Sequence, residues 1–263
     1  MSAPAVFAFN NALVRTPCHA IVNGLRAVDV GAPSYQTVLA EHAAYVAALE
    51  AAGVAVELLP ELDAYPDSMF VEDPALVFSE GAIVMRPGAQ SRFGEAAEIA
   101  PVLKRRFARV IDLQGPGFAD GGDILVLNDR VMIGLSDRTN QAGAQALSEA
   151  LRALGKNPVI VQTPANVLHF KSDCSLLDET TILSTSRLAA SGVFDGLTVI
   201  LTPDGEEGAA NALRINDRVF LGAAFPKTRT RLEQSGYHVI PLATSEIAKV
   251  DAGLSCMSLR WWA

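Results

Sequence analysis

A short two-stranded motif recurs along this chain and limits the folds that it can adopt. In each copy an apolar strand, a polar turn and a second apolar strand follow one another, at residues 70–87, 118–135, 170–185 and 210–222. Alternating strands around Asx- or Gly-containing turns are typical of β-hairpins. The distance between successive copies leaves room for one helix and one further strand. The sequence therefore predicts a repeat.

The segments between the hairpins carry the helix and strand signals that such a repeat needs. Residues 35–52, 94–108 and 140–154 have helical apolar periodicity, and Gly53 and Gly155 are the expected helix stops. Short apolar strands are predicted at residues 54–59, 110–113, 159–162, 197–202 and 238–242. Each unit thus consists of a hairpin, a helix and a strand.

The two ends of the chain can supply a fifth unit. Residues 254–261 and 6–15 both have strand character, and pairing them would close a ring and remove exposed sheet edges. We predict an α/β fold in which residues 1–263 form a single domain. An open α/β sandwich with coincidental spacing is the alternative. A dinucleotide-binding fold is rejected, because residues 115–120 have only two of the three fingerprint glycines, separated by a proline.

Composition excludes several classes of function. The 263 residues carry a net charge of −8, which disfavours nucleic-acid binding through clustered Lys and Arg. The sequence has no apolar run long enough to span a bilayer and no basic–apolar leader. Its three cysteines lack zinc-finger spacing and fit a reducing cytosol. We expect a cytoplasmic protein without membrane or nucleic-acid partners, and the acidic balance is compatible with a cationic substrate.

Reactive side chains occupy the same position in each hairpin. They are Glu72 and Asp73, Asp120 and Asp123, His169, Asn211, and Cys256. In a ring, equal positions converge on one end of the central axis. Taken singly, most have simpler readings as core or turn residues. The Glu72–Asp73 pair is the exception, because adjacent carboxylates within an apolar segment need a cationic partner when they are buried.

Six motifs occur in an order that is typical of one family. They are PDSMFVED (66–73), RPGAQSR (86–92), DGGD (120–123), GLSDRTN (134–140), LHFKS (168–172) and VDAGLSC (250–256). In these motifs the chain resembles the dimethylarginine dimethylaminohydrolases of the guanidino-group-modifying (pentein) superfamily, from about residue 40 to residue 259. The resemblance implies a five-bladed α/β propeller. It also implies hydrolysis of Nω,Nω-dimethyl-L-arginine or monomethylarginine to citrulline and an amine, without metal or cofactor.

The resemblance also implies roles for the matching residues. Cys256 would be the nucleophile, His169 the general acid/base and Asp120 the residue that orients the histidine. A thiolate is required for attack, and a neighbouring His⁺ or the bound cation would lower the thiol pKa.

The remaining matches would bind the substrate, a small cationic arginine derivative. By the resemblance, the guanidinium would be held by Glu72 and Asp73, the α-carboxylate by Arg92 and Arg138, and the α-amino group by Asp67 and the Val250 carbonyl. Arg suits a carboxylate because its fork can donate two parallel hydrogen bonds. Leu25 would close a lid within residues 23–34.

Several alternatives stay open. A hydroxyarginine hydrolase or an arginine deiminase-like enzyme would share the Cys–His chemistry and differ in the leaving group. An amidinotransferase would pass the covalent intermediate to an amine. A non-enzymatic propeller would lack the reactive residues, and a metal-dependent hydrolase using His169 and Cys174 would lack a second histidine. The oligomeric state is open, with a homodimer as one option.

Overall fold

The protein folds into five small sheets, in a computed structural model that describes residues 4–165 and 167–263. The strands are β1 (Asn11–Arg15), β2 (Ala55–Leu59), β3 (Ala75–Phe78), β4 (Gly81–Val84), β5 (Val110–Asp112), β6 (Ile124–Val126), β7 (Val131–Leu135), β8 (Pro158–Gln162), β9 (Cys174–Leu176), β10 (Thr181–Ser184), β11 (Thr198–Leu201), β12 (Leu213–Ile215), β13 (Arg218–Gly222), β14 (His238–Leu242) and β15 (Ser258–Trp261). The helices are α1 (Tyr35–Ala51), α2 (Phe93–Arg106), α3 (Gln141–Ala153), α4 (Ser186–Ala189) and α5 (Pro226–Gln234).

Every sheet repeats one topology. A central strand pairs antiparallel with one neighbour, as in a hairpin, and parallel with the other. The sheets are β3-β4-β5, β6-β7-β8, β9-β10-β11, β12-β13-β14 and β15-β1-β2. In the last of these, Asn11 of β1 lies opposite Trp261 of β15. The prediction that segments from the two ends complete the fifth unit is confirmed.

The apolar core is divided among the interfaces between neighbouring sheets. Five clusters of buried side chains each combine residues from two adjacent sheets. Along β1, for example, Leu13 packs towards the β3-β4-β5 sheet, whereas Ala12 and Val14 pack towards the β12-β13-β14 sheet. Both faces of each sheet are therefore covered, and the five interfaces close a ring. The predicted five-bladed α/β propeller is confirmed.

The helix ends follow local sequence rules. The Ser34 side chain accepts a hydrogen bond from Thr37 N at the start of α1, and Asn140 accepts one from Gly143 N at the start of α3. Gly53 and Gly155 follow the two helices with φ of +84° and +75°, as the helix-stop signals predicted. Helices α4 and α5 were not predicted, because α4 has four residues and α5 buries only Thr228 and Leu232.

The ring brings the chain segments that precede the first hairpin strands to one place. Gly121 N donates to Asp73 O at 3.1 Å, and Glu72 N donates to Cys256 O at 3.2 Å. The segments before β3, β6 and β15 therefore touch through their backbones. In the part of the chain that the structure describes, no helix is long and apolar enough to cross a membrane.

Candidate active site

A buried histidine–carboxylate pair forms the centre of the candidate site. His169 Nε2 lies 3.0 Å from Asp120 Oδ2, and Asp120 is fully buried. The other carboxylate oxygen of Asp120 accepts a hydrogen bond from Gly88 N at 2.6 Å, so the carboxylate cannot rotate freely. Gly122 makes the close approach possible, because a Cβ there would lie only 2.7 Å from the ring of His169.

Neighbouring negative charges keep His169 protonated. Burial by itself would lower the pKa of the imidazole. The charge of Asp73 and the hydrogen bond that His169 donates to Asp120 outweigh burial and raise the pKa of His169 to about 9. At pH 7 the unliganded protein therefore holds an imidazolium, which can donate a proton.

Asp123 has a structural task beside this pair. Its buried carboxylate accepts hydrogen bonds from Phe170 N at 2.8 Å, Thr139 Oγ1 at 2.6 Å and Ser136 Oγ at 2.7 Å. Phe170 follows His169, so these bonds tie the histidine segment to the loop that begins α3. Burial raises the pKa of Asp123.

Asp73 is paired with a buried arginine. Arg92 Nη1 donates to Asp73 Oδ2, and Arg92 also binds Glu95, with Nη2 2.6 Å from Glu95 Oε2. Burial opposes ionisation of Asp73, but Arg92 holds the pKa of Asp73 below its usual value. Arg92 Nη2 also donates to the carbonyls of Asp67 and Phe70. Protein oxygens thus take most of the five N–H donors that a guanidinium offers.

Arg138 is more accessible than Arg92. Its side chain is 20% exposed, against 5% for Arg92. Its guanidinium faces Asp120, with Nη1 3.9 Å from Asp120 Oδ2. Among the described residues this is the one ion pair of Arg138, so its fork remains open to a second anion.

Glu72 is the centre of a second charged cluster. Its Oε1 lies 2.5 Å from Lys171 Nζ and 3.1 Å from Arg260 Nη2. Its Oε2 accepts a hydrogen bond from Ser255 Oγ at 3.0 Å. An ionised carboxylate has about four acceptor positions, so three are used and one on Oε2 is free. Asp73 accepts from Arg92 and Gly122 N and retains about two.

Cys256 is close enough to these two carboxylates to feel the charge of both, and it is only 8% exposed. Burial and the charges of Glu72 and Asp73 raise the pKa of the thiol to about 11. The expectation that a neighbouring His⁺ lowers this pKa is wrong for the unliganded protein, because burial, which is the largest cause, and the two carboxylates both oppose ionisation of the thiol. The second part of that expectation, that a bound cationic substrate lowers the thiol pKa, stays a prediction.

The residues predicted to hold an α-amino group also meet. Leu25 N donates to Asp67 Oδ1 at 3.0 Å. A Cβ on Gly24 would lie 2.9 Å from Val250 Cγ1 and 3.0 Å from Asp67 Oδ1. Leu25, Asp67 and Val250 therefore share one corner, which Arg92 joins to the rest through the Asp67 carbonyl. Burial raises the pKa of Asp67.

Two further features bear on ligands. The donor atoms of Asp73, Asp120 and His169 lie within 4.8 Å of one another. Arg92 already neutralises Asp73 and His169 is a cation at pH 7, so this set suits a positively charged metal poorly. Next to Glu72 and Lys171 lies a cavity of about 590 Å³, bounded by β3, β6, β9, β12 and β15.

Comparison with known proteins decides the family. A profile described as "N,N dimethylarginine dimethylhydrolase, eukaryotic" matches residues 21–170. The N(G),N(G)-dimethylarginine dimethylaminohydrolase of Pseudomonas aeruginosa is 38% identical over 254 residues, which cover 96% of this chain and all of that protein. The chain belongs to the dimethylarginine dimethylaminohydrolase family.

Solved structures of dimethylarginine dimethylaminohydrolases share the whole fold of the chain. A Pseudomonas aeruginosa enzyme with cysteine replaced by serine, complexed with citrulline, has a TM-score of 0.93 and covers 97% of this chain and 100% of that one. A histidine-to-glycine variant, as an adduct with S-methyl-L-thiocitrulline, has a TM-score of 0.92 and covers 96% and 99%. Both are 38% identical to this family member.

Sequence reasoning missed four residues that hold the site of this family member together. They are Glu95, Lys171, Ser255 and Arg260. Lys171 and Ser255 lie inside motifs that carried the resemblance, and their proximity to Glu72 and Cys256 in the ring was the available signal. Glu95 lies in the first turn of α2, where acidic residues are common for reasons unrelated to a binding site. Its role depends on the orientation of Arg92, which local sequence does not specify.

Proposed function

We propose that the protein hydrolyses Nω,Nω-dimethyl-L-arginine and Nω-monomethyl-L-arginine to L-citrulline and the methylated amine through a covalent adduct on Cys256. The observation that carries the proposal is the buried thiol held beside two carboxylates, with the His169–Asp120 pair in the same site. The relative that forms an adduct with S-methyl-L-thiocitrulline and the relative complexed with citrulline support the same substrate class.

The guanidinium would bind to the free acceptor positions of Glu72 and Asp73. Together the two carboxylates retain about three such positions, which can accept N–H bonds and hold the planar cation against the sulfur. Alignment of this kind lowers the barrier for a poorly electrophilic carbon. Lys171 and Arg260 hold Glu72 in place on the side away from its free position.

Arg138 would carry most of the binding of the substrate α-carboxylate. The guanidinium of Arg138 has one ion pair, whereas Arg92 keeps a single free Nη1 N–H after its bonds to Asp73, to Glu95 and to the backbone carbonyls of residues 67 and 70. Arg92 would add one bond and hold Asp73 in place. The α-amino group would bind Asp67 and the Val250 carbonyl, and the segment around Leu25 would cover them.

The reaction would proceed in two halves. The Cys256 thiolate attacks the guanidinium carbon and forms an S–C bond, and His169 protonates the departing amine as the C–N bond breaks. A thiouronium adduct remains on the sulfur. His169, now neutral, removes a proton from a water molecule that attacks the same carbon. The S–C bond then breaks, and citrulline and the thiolate are released.

Because the thiol pKa is raised in the unliganded protein, binding of the substrate would itself promote ionisation of Cys256. With a pKa of about 11 the unliganded protein holds a neutral thiol at pH 7. A guanidinium bound to Glu72 and Asp73 neutralises the charges that raise this pKa, so the thiol ionises as the substrate arrives. The proton leaves to solvent before the pocket closes.

Alkylation of the unliganded protein tests this thiol. Because the thiolate is the reactive form, we expect the iodoacetamide rate at Cys256 to rise about tenfold per pH unit through neutral and mildly alkaline pH. Peptide mass mapping would separate Cys256 from the buried Cys18 and Cys174. A rate that levels off near pH 7 would show a preformed thiolate and contradict the assignment.

A substrate panel tests the function itself. The purified protein would be assayed for citrulline with dimethylarginine, monomethylarginine, hydroxyarginine and arginine, and for a Cys256 adduct by mass spectrometry. We expect the highest kcat/KM with the methylated arginines. Preference for hydroxyarginine or arginine would reassign the enzyme within the alternatives above, and absence of citrulline from every substrate would refute the proposal. The cytoplasmic location, the single-domain organisation and a homodimer stay predictions.

A further inference from the structure

The side-chain amide of Asn211 touches the segment that carries the proposed nucleophile. Asn211 lies between the short 3₁₀ helix Glu207–Ala210 and β12. Its Oδ1 accepts a hydrogen bond from Ser255 N at 3.1 Å, and its Nδ2 lies 3.9 Å from Cys256 Sγ. One amide thus contacts two consecutive residues of the segment.

The hydrogen bond from Ser255 settles which end of the amide faces the sulfur. Oxygen and nitrogen of an Asn side chain are otherwise hard to tell apart. A backbone N–H can bond only to the oxygen, so Oδ1 must face Ser255 and the Nδ2 donor must face Cys256. The N···S distance is long, as expected for a neutral thiol, and a thiolate would be the stronger acceptor.

The same amide packs against Gly253. A Cβ at that position would lie 2.4 Å from Asn211 Cγ and 2.6 Å from its Oδ1, so only glycine allows the contact. Gly253 O accepts a hydrogen bond from Cys256 N at 3.3 Å and closes the turn. Residues 253–256, called here the nucleophile turn, therefore rest on Asn211 at three points.

The negative charges around Cys256 Sγ disfavour the thiolate, so a neutral hydrogen-bond donor at the sulfur would stabilise it. Glu72 and Asp73 both oppose ionisation of Cys256, and the ammonium of Lys171 offsets them in part while it is paired with Glu72. We propose that Asn211 is a positioning residue for the nucleophile: its Oδ1 holds the nucleophile turn, and its Nδ2 donates a hydrogen bond to the thiolate of Cys256. The role in turnover rests on the proposed function, whereas the role in thiol ionisation does not.

Asn211→Asp is the sharpest variant. It keeps an oxygen for Ser255 N–H and the shape of the side chain, but replaces the donor at the sulfur with a charged acceptor. A matched control is Asn216→Asp. Asn216 also uses both ends of its amide, bonding Phe9 N, Phe9 O and Ala52 O, but does so in the turn between β12 and β13.

The iodoacetamide rate of the unliganded protein is the first readout. We expect Asn211→Asp to lower the rate at Cys256 by about tenfold or more at a given pH, because an added carboxylate raises the thiol pKa by a unit or more. Asn211→Ala should lower it less, and Asn216→Asp should leave it within about twofold. An unchanged rate in Asn211→Asp would overturn the proposal, whatever the substrate panel shows.

Steady-state kinetics on dimethylarginine is the second readout. Asn211 contacts the nucleophile and none of the proposed substrate clamps, so kcat should fall about tenfold with KM changed less than about threefold. A variant that raises KM alone would contradict the assignment.

The unaltered protein provides a test that does not depend on a variant of Asn211 folding. In isotope-labelled protein the side-chain carbonyl carbon resonance of Asn211 should shift as the pH is raised towards 11, where Cys256 begins to ionise. The shift should be absent in Cys256→Ser. A resonance that does not respond to pH, or responds equally in Cys256→Ser, would overturn the proposal.

Discussion

Cys256→Ser is expected to reduce citrulline formation from dimethylarginine by at least about 10³-fold. A serine hydroxyl ionises far less readily than a thiol, and neither the bound cation nor His169 can supply the missing nucleophile. Substrate binding should persist, because Glu72, Asp73 and Arg138 are unchanged. Steady-state kinetics and a binding titration on the same preparation would measure both effects.

The other two cysteines provide matched controls. Cys174 and Cys18 are also buried and unpaired, and their thiols donate to the carbonyls of Phe170 and Tyr65. Burial raises the pKa of both thiols. Serine at either position should lower stability and leave turnover within about threefold. Wild-type turnover in Cys256→Ser, or equal losses in all three variants, would rule out covalent catalysis by Cys256.

Asp73→Asn is expected to lower kcat/KM by about 10³-fold, close to 4 kcal/mol of transition-state stabilisation. The carboxylate is proposed to hold the guanidinium, its charge helps to keep His169 protonated, and it anchors Arg92. The pKa of His169 should fall when this charge is removed, and an NMR titration of the imidazole would measure the change.

Glu95→Gln separates the chemistry of Asp73 from its structural task. Each substitution removes one buried anionic partner of Arg92, and breaking a buried ion pair commonly costs about 3–5 kcal/mol of stability. Thermal unfolding should therefore show a lower melting temperature in both variants than in the wild-type protein. Only Asp73→Asn should show the full kinetic loss, and equal kinetic losses would mean that Asp73 acts solely through Arg92.

Most of the fold could be predicted from the repeat in the sequence. Predicted hairpins, the glycines that end α1 and α3, and the pairing of the terminal strands all depend on local patterns that the ring leaves intact. Helix α5 escaped detection because its neighbours cover a narrow apolar face, leaving a largely polar sequence. Local sequence patterns also could not predict how the core is divided among five interfaces, because this depends on which face of each strand packs against which neighbouring sheet.

The site was predictable as a set of residues but not as a charge distribution. The hairpin positions and family motifs indicated Cys256, His169 and the Glu72–Asp73 pair. The direction of the shift in the thiol pKa was not predictable, because it depends on the burial of Cys256 and on the charges of Glu72 and Asp73, which Lys171 offsets only in part. The near saturation of Arg92 by Asp73 and Glu95 likewise needs three-dimensional contacts.

The pairing of β1 with β15 has a consequence for the order in which the protein folds. Cys256 lies two residues before β15, and β15 is held in its sheet by a strand some 250 positions earlier in the chain. Closing so long a loop is entropically unfavourable and is expected to come late in folding. Cys256 is therefore expected to reach the site only when β15 pairs with β1. A partly folded chain would hold the substrate-binding residues without the nucleophile.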